Sequence, residues 1–177
     1  TGSFQTIAGI TYRNDHGELQ INEDGAPANM DELPFVYGHL EDFSHKIIYY
    51  ESSRGCPFRC AYCLSSLEKK LRFRSLDLVK KELGFFLQAK VPQVKFLDRT
   101  FNCNPRRTVD LWQWILDHDN GITNFHFEIA ADLITEEELA IMEQMRPGLI
   151  QLEIGVQSTN METVHEIDRV MDLDLVR

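Results

Sequence analysis

From Lys46 onward the chain repeats one pattern four times: an apolar strand, a polar loop, then apolar residues at helical spacing. Strands alternating with helices of this length call for a parallel sheet joined by right-handed crossovers. No other feature restricts the fold as much. The strands read as residues 47–51, 94–97, 125–129 and 149–156. After the first, Leu76, Val79, Leu83, Phe86 and Leu87 recur at helical spacing behind Ser75 as N-cap, and Pro92 closes the unit. Asn104 followed by Pro105 opens a second helix with Val109, Trp112, Ile115 and Leu116 as its apolar stripe. Thr135 with Glu138, and Thr159 with Glu162, have capping-box spacing. Leu139, Met142 and Met145 read as core residues. The fold class is therefore α/β, with four βα units.

Alternation along the third strand places His126 and Glu128 on one face and Phe125, Phe127 and Ile129 on the other. Gln151 and Glu153 share a face of the fourth strand in the same way. In barrels of parallel strands, catalytic groups sit where the strands end. The loop after the first strand, Asp98-Arg99-Thr100 after the second, and Gln157 after the fourth all fall at that rim, with Glu128 just below it. The first of these loops holds Cys56, Cys60 and Cys63, three of the 4 cysteines in the chain. Cysteines bunched in one loop can reach one iron–sulfur cluster together. Three ligands on a four-iron cluster leave one iron open, and an open position distinguishes a catalytic metal site from a closed structural one. Two other readings remain at this point. One is a disulfide, although 4 cysteines in 177 residues is sparse for a disulfide scaffold. The other is a zinc site completed by Cys103, although zinc more often takes two short-spaced ligand pairs.

The spacing C-x-x-x-C-x-x-C, with Tyr62 directly before Cys63, resembles the cluster loop of the radical S-adenosylmethionine (SAM) enzymes. The resemblance runs from about Lys46 to the end of the chain. It implies that the four units belong to a partial, TIM-like (βα)6 barrel. It assigns Cys56, Cys60 and Cys63 to a 4Fe-4S cluster whose open iron is chelated by SAM, which is cleaved reductively to a 5′-deoxyadenosyl radical. It places Tyr62 near the adenine, and Asp98, Arg99 and Thr100 where the family contacts the SAM amino group. This chain has no glycine in that segment, where the family usually has a glycine-rich one. Glu128 and Gln157 match residues that hydrogen-bond the ribose hydroxyls, and Arg169 matches one that pairs with the SAM carboxylate through its planar fork. An external electron donor is implied, and the substrate is left open as a small molecule or a macromolecule. Of the histidines, His118 and His165 read as solvated, while His126 shares the inward face with Glu128.

Residues 7–22 read as a hairpin turning at Asn14-Asp15-His16-Gly17. Residues 23–37 are a polar connector broken by Pro27 and Pro34. The connector resembles the linker that follows a cobalamin-binding domain in one subgroup of radical SAM proteins. The expected organisation is a hairpin and linker over residues 1–45 and the first part of the barrel over 46–177. Cobalamin is expected only in a longer parent protein. The absent initiator Met and the helical pattern running to residue 177 fit a piece of such a protein. A barrel of four strands would leave its last edge open, which favours dimerisation. A net charge of −10 argues against general nucleic-acid binding, and no apolar run is long enough to span a membrane. No signal-peptide pattern opens the chain, so a cytoplasmic, reducing setting is expected. The basic run over residues 69–74 reads as a solvated face or as a counter-charge for the cluster.

Overall fold

Asn14 sets the turn of the first structured segment. Its Oδ1 accepts from the backbone N–H groups of His16 and Glu18, both at 3.0 Å. Gly17 takes φ +80°, which permits the tight reversal. The flanking strands β1 (Thr11–Arg13) and β2 (Leu19–Ile21) pair antiparallel, with Thr11 opposite Ile21. The expected hairpin is present, but its first strand starts at Thr11 instead of Ile7. Upstream, Phe4–Thr6 is a 3-10 turn capped by the Ser3 hydroxyl. The computed structural model describes residues 3–40, 45–68 and 70–176. The hairpin belongs to a unit that ends at Leu33, and a second unit begins at Pro34. The division thus falls earlier than residue 45. Phe35 and Tyr37 go with the barrel unit because their rings pack on Phe86, at centroid distances of 5.5 and 5.3 Å.

The second unit runs β3 (Ile48–Tyr50), β4 (Ser53–Arg54), β5 (Arg72–Phe73), α1 (Leu76–Gln88), β6 (Gln93–Phe96), α2 (Pro105–Asp117), β7 (Asn124–Ile129), α3 (Glu136–Met142), β8 (Ile150–Ile154) and α4 (Met161–Glu166). Four strands form one parallel sheet in the order β3-β6-β7-β8. The expected α/β sheet of βα units is present, and its strands follow one another as in the wall of an open barrel. β7 shows why. Its burial alternates, with Phe125, Phe127 and Ile129 buried and Asn124, His126 and Glu128 half-buried. The apolar row meets Val79, Leu83 and Phe86 of α1 and Leu111, Trp112 and Ile115 of α2, all with essentially no exposure. Aromatic rings fill the middle of this layer: Phe127 lies 4.6 Å from Phe96 and 4.3 Å from Phe101. Burying each such side chain is worth about 1.5–3 kcal/mol. This layer is the main source of stability.

Helix starts follow the local chemistry with two changes. Asn104 accepts from Arg107 N–H at 3.2 Å, and Pro105 occupies the first helical position. Thr135 and Glu138 cap each other's backbone at 3.2 and 2.8 Å. At α4, however, the cap is Asn160 and not Thr159: Asn160 Oδ1 accepts from Glu162 and Thr163. At α1, Ser75 holds the cap position without a side-chain capping bond. On α3 it is Ile141 that is buried, while Leu139 is 44% exposed. The last helix is also shorter than its pattern suggests. Asp168 takes φ +52°, and the described residues beyond it form turns.

The basic run is corrected as well. Lys69 lies outside the described residues. Arg72 pairs with Glu68, and Arg74 is buried, bonding Glu82 Oε1 at 2.7 Å. Glu82 also accepts from the Tyr50 hydroxyl at 2.5 Å. A buried carboxylate satisfied by a guanidinium and a phenol ties β3 and α1 to the segment leaving the cysteine loop. Burial and the adjacent Glu82 push the Tyr50 hydroxyl well above the usual phenol range.

Candidate functional site

The cysteine loop leaves the C-terminal end of β3 and is held at its base. β4 and β5 pair antiparallel, with Ser53 opposite Phe73 and Arg54 opposite Arg72. Gly55 sits at φ +98°, and a Cβ there would lie 2.7 Å from the Lys70 carbonyl oxygen. Only glycine fits without moving the returning strand. Cys56 N–H donates to Glu68 O at 3.2 Å, and Cys63 N–H to Cys60 O at 3.0 Å. From the far end of the unit, the Ile167 carbonyl accepts from Ala61 N–H at 2.8 Å. The loop is therefore fastened by the first and the fourth βα units together.

Within these fasteners lies a cavity of about 250 Å³. Cys56, Cys60 and Cys63 all line it, along with Tyr62, Arg99, Thr100, Glu128, Gln157 and Arg169. The structure thus brings every expected site residue to one place except Asp98. The cysteines are free thiols, with Cys56 and Cys60 buried. Cys56 Sγ lies 3.6 Å from Thr100 Oγ1. Arg169 crosses the opening. Its Nη1 donates to the Tyr62 hydroxyl at 3.1 Å and points to Cys60 Sγ at 3.9 Å, and its Nη2 donates to the Gly155 carbonyl. Its Nε is buried without a partner among the described residues. Burial raises the Tyr62 hydroxyl above its ordinary range, against the opposing pull of the Arg169 charge.

Glu128 reaches the cavity from the end of β7, and its carboxylate has no hydrogen-bond or ion-pair partner among the described residues. Its cross-strand neighbour on the same face is Glu153, which also lines the cavity. Glu153 is paired from below: Lys95 Nζ donates to its Oε2 at 3.1 Å, and His126 Nε2 lies 3.1 Å from the same oxygen without hydrogen-bond geometry. The Lys95 hydrogen bond and charge, with a smaller part from His126, hold the Glu153 carboxyl below the usual range. Gln157 takes φ +66°, an unusual conformation for a residue with a side chain. It folds its amide back over Gly155, where a Cβ would meet Gln157 Nε2 at 2.6 Å. A strained backbone of this kind is a common mark of a functional position.

One expected position differs, and the cysteine of the zinc alternative also lies elsewhere. Asp98 is 1% exposed and does not line the cavity, because its carboxylate is turned to Ser52 and Ser53 at the base of the loop. Cys103 does not line the cavity either. Burial, with Asp98 and Cys56 nearby, pushes its thiol up to about 11. Sequence reasoning missed Glu153 as a cavity residue. The signal was available, since parallel register on a shared face sets it beside Glu128.

Among the described residues, no three His, Cys, Asp or Glu side chains stand close enough to share a single metal ion. A zinc site would need sulfurs roughly 3.8 Å apart. Three free thiols line one cavity, and the unpartnered Arg169 Nε and Glu128 carboxylate supply a donor and an acceptor beside them. The residues present fit a cluster with a further ligand.

A parallel sheet with a three-thiol loop at its C-terminal rim defines a class of barrel proteins with a rim-bound cofactor site. Residues 50–175 match the radical SAM superfamily, and the chain belongs to that family. It is 34% identical over 116 residues to an uncharacterized methyltransferase of Pyrococcus horikoshii, covering 59% of this chain and 25% of that protein. Its fold resembles the cobalamin-dependent S-adenosylmethionine radical enzyme OxsB, with a TM-score of 0.74 at 21% identity over 98% of this chain and 27% of that one. It also resembles the radical S-adenosylmethionine methyltransferase TsrM from Kitasatospora setae, solved with cobalamin and a 4Fe-4S cluster bound. There the TM-score is 0.64 at 14% identity, over 77% of this chain and 28% of that one. The chain spans about a quarter of the length of each of these relatives. Among the described residues, no helix is long and apolar enough to cross a membrane.

Proposed function

We propose that this chain is the cluster-binding and SAM-binding part of a radical SAM enzyme. Cys56, Cys60 and Cys63 would hold a 4Fe-4S cluster, with SAM beside it in the same cavity. When bound, that pair supplies reductive cleavage of a sulfonium, given an electron from an external donor. The observation that carries the reading is the meeting of all three thiols with Glu128, Gln157 and Arg169 around one cavity.

The residues divide the work by chemistry. Arg169 already spans Gly155 O and the Tyr62 hydroxyl and keeps Nε in reserve, so it can take a carboxylate without first breaking an ion pair. Glu128 is free to accept from hydroxyls, as a ribose requires, because Lys95 and His126 engage Glu153 and not Glu128. Gln157 adds an amide from the segment after β8, the strand next to β7. Tyr62 offers an aromatic face at the lip, and Thr100 closes the wall behind Cys56. Arg99 reaches both this cavity and a neighbouring one of about 530 Å³ lined by Glu51, Arg54 and Leu64. The names of the relatives favour cobalamin-assisted methyl transfer, or a related reaction, for a parent protein that also carries a cobalamin domain.

Anaerobic reconstitution with iron and sulfide, followed by metal analysis and equilibrium dialysis of SAM, tests the reading. The expected result is a brown protein with about four irons per chain that binds SAM. Stoichiometric zinc without colour would instead identify a closed zinc module. The Gln157→Ala variant should keep its iron and bind SAM about tenfold more weakly, the loss of one or two hydrogen bonds. Unchanged SAM affinity would remove Gln157 from the ribose site.

A further inference from the structure

Asp98 was expected at the cofactor, yet its carboxylate is buried and fully used elsewhere. Oδ1 accepts from the Ser52 backbone N–H at 2.8 Å, and Oδ2 lies 2.6 Å from both the Ser52 and Ser53 hydroxyls. Ser52 and Ser53 are themselves 0% and 4% exposed. They join the end of β3 to β4, the segment from which the cysteine loop departs. The same junction is gripped twice more. Ser52 O accepts from Arg74 N–H at 2.9 Å and from Arg107 Nη2 at 3.4 Å. Two residues past Asp98, the Thr100 hydroxyl touches Cys56 Sγ. One short stretch after β6 therefore holds the root of the loop with one side chain and its first thiol with another.

We propose that Asp98 is a positioning residue for the cluster: it fixes Ser52 and Ser53 so that the loop departs from the sheet at the angle that turns Cys56 into the cavity with Cys60 and Cys63. Three bonds to one carboxylate define the direction of a chain segment better than one bond could, since each blocks a different rotation. Glycine at position 55, with its backbone against Lys70 O, leaves no slack to recover a wrong departure angle. The role requires acceptor geometry and not a full charge. An amide at position 98 can still accept from the Ser52 N–H and donate to a serine hydroxyl, which accepts as readily as it donates. An alanine can do neither.

This inference rests on the cluster reading above, and its test separates the two. In the metal-free full chain, iodoacetamide labelling of Cys56 is followed by mass spectrometry, with an added cysteine-containing peptide as reference, since Asp98 acts directly on the Cys103 thiol. Asp98→Ala should raise the Cys56 labelling rate relative to that peptide about tenfold, because the root of the loop opens when its donors lose their acceptor. Asp98→Asn should stay within about twofold of the parent protein. After reconstitution, iron content should follow the same order: low in Asp98→Ala and near parental in Asp98→Asn. Should Asp98→Ala fail to fold by circular dichroism, the Ser52→Ala/Ser53→Ala double variant replaces it, with the same expectation. Equal Cys56 labelling in parent and Ala variants overturns the proposal, and so does an Asn variant as defective as the Ala variant. A parent chain that takes up no iron sinks the cluster reading alone, since the labelling result stands without metal.

Discussion

The two faces of one four-stranded sheet are made from the same strands and have opposite chemistry. Toward the helices stand Ile48, Tyr50, Val94, Phe96, Phe125 and Phe127, nearly all without solvent contact. Toward the other side stand Gln93, Lys95, His126, Gln151 and Glu153, linked by hydrogen bonds and close charged contacts in place of packing, and Glu128, whose carboxylate has no partner among the described residues. Gln93 Nε2 bonds Asn124 Oδ1 at 3.0 Å, so even the row farthest from the cavity is polar. The first face holds the fold together, and the second contributes Glu128 and Glu153 to the cavity at the rim. Alternation with a period of two lets a strand serve both without compromise.

Substitutions should separate the faces in proportion to what each loses. Phe127→Ala empties the centre of the aromatic layer and should cost about 4 kcal/mol in urea unfolding, enough to unfold a marginal domain. A loss below about 1 kcal/mol would mean that the layer repacks and that the contrast is weaker than drawn. Glu82→Ala tests a buried charged group on the apolar side. It strands Arg74 and the Tyr50 hydroxyl together and should cost about 3 kcal/mol. Lys95→Met acts on the polar face, where the pair with Glu153 is half in solvent, and unfolding should shift by about 0.5 kcal/mol or less. The same variant should nevertheless weaken SAM binding in the reconstituted protein, since an unneutralised Glu153 beside Glu128 competes for the same hydroxyls. If Lys95→Met alters stability and leaves binding untouched, the division of labour between the faces is misplaced.

Much of this was legible in the residues. The strand and helix periods, the cap at Asn104, the box at Thr135 and the inward aim of Glu128 follow from local rules that need no knowledge of distant partners. The gathering of Cys56, Cys60, Cys63, Gln157 and Arg169 was legible through family resemblance and rim position. What could not be read depended on rotation and long-range choice. Asp98 could face the cavity or the loop root, and the choice rests on Ser52, 46 residues away. Arg74 sat in a basic run that looks solvated, and only the packing of α1 brings Glu82 to it. Asn160 outcompeted Thr159 as the cap of α4 because both residues can cap, and one residue of register separates them.

Arg169 bonds the Tyr62 hydroxyl across a separation of 107 residues. During synthesis at typical rates, the three thiols leave the ribosome roughly 5–20 s before the guanidinium that closes over them. For that interval the nascent chain carries the three thiols without the guanidinium that later stands beside them, so their protection falls to the surrounding medium or to a carrier.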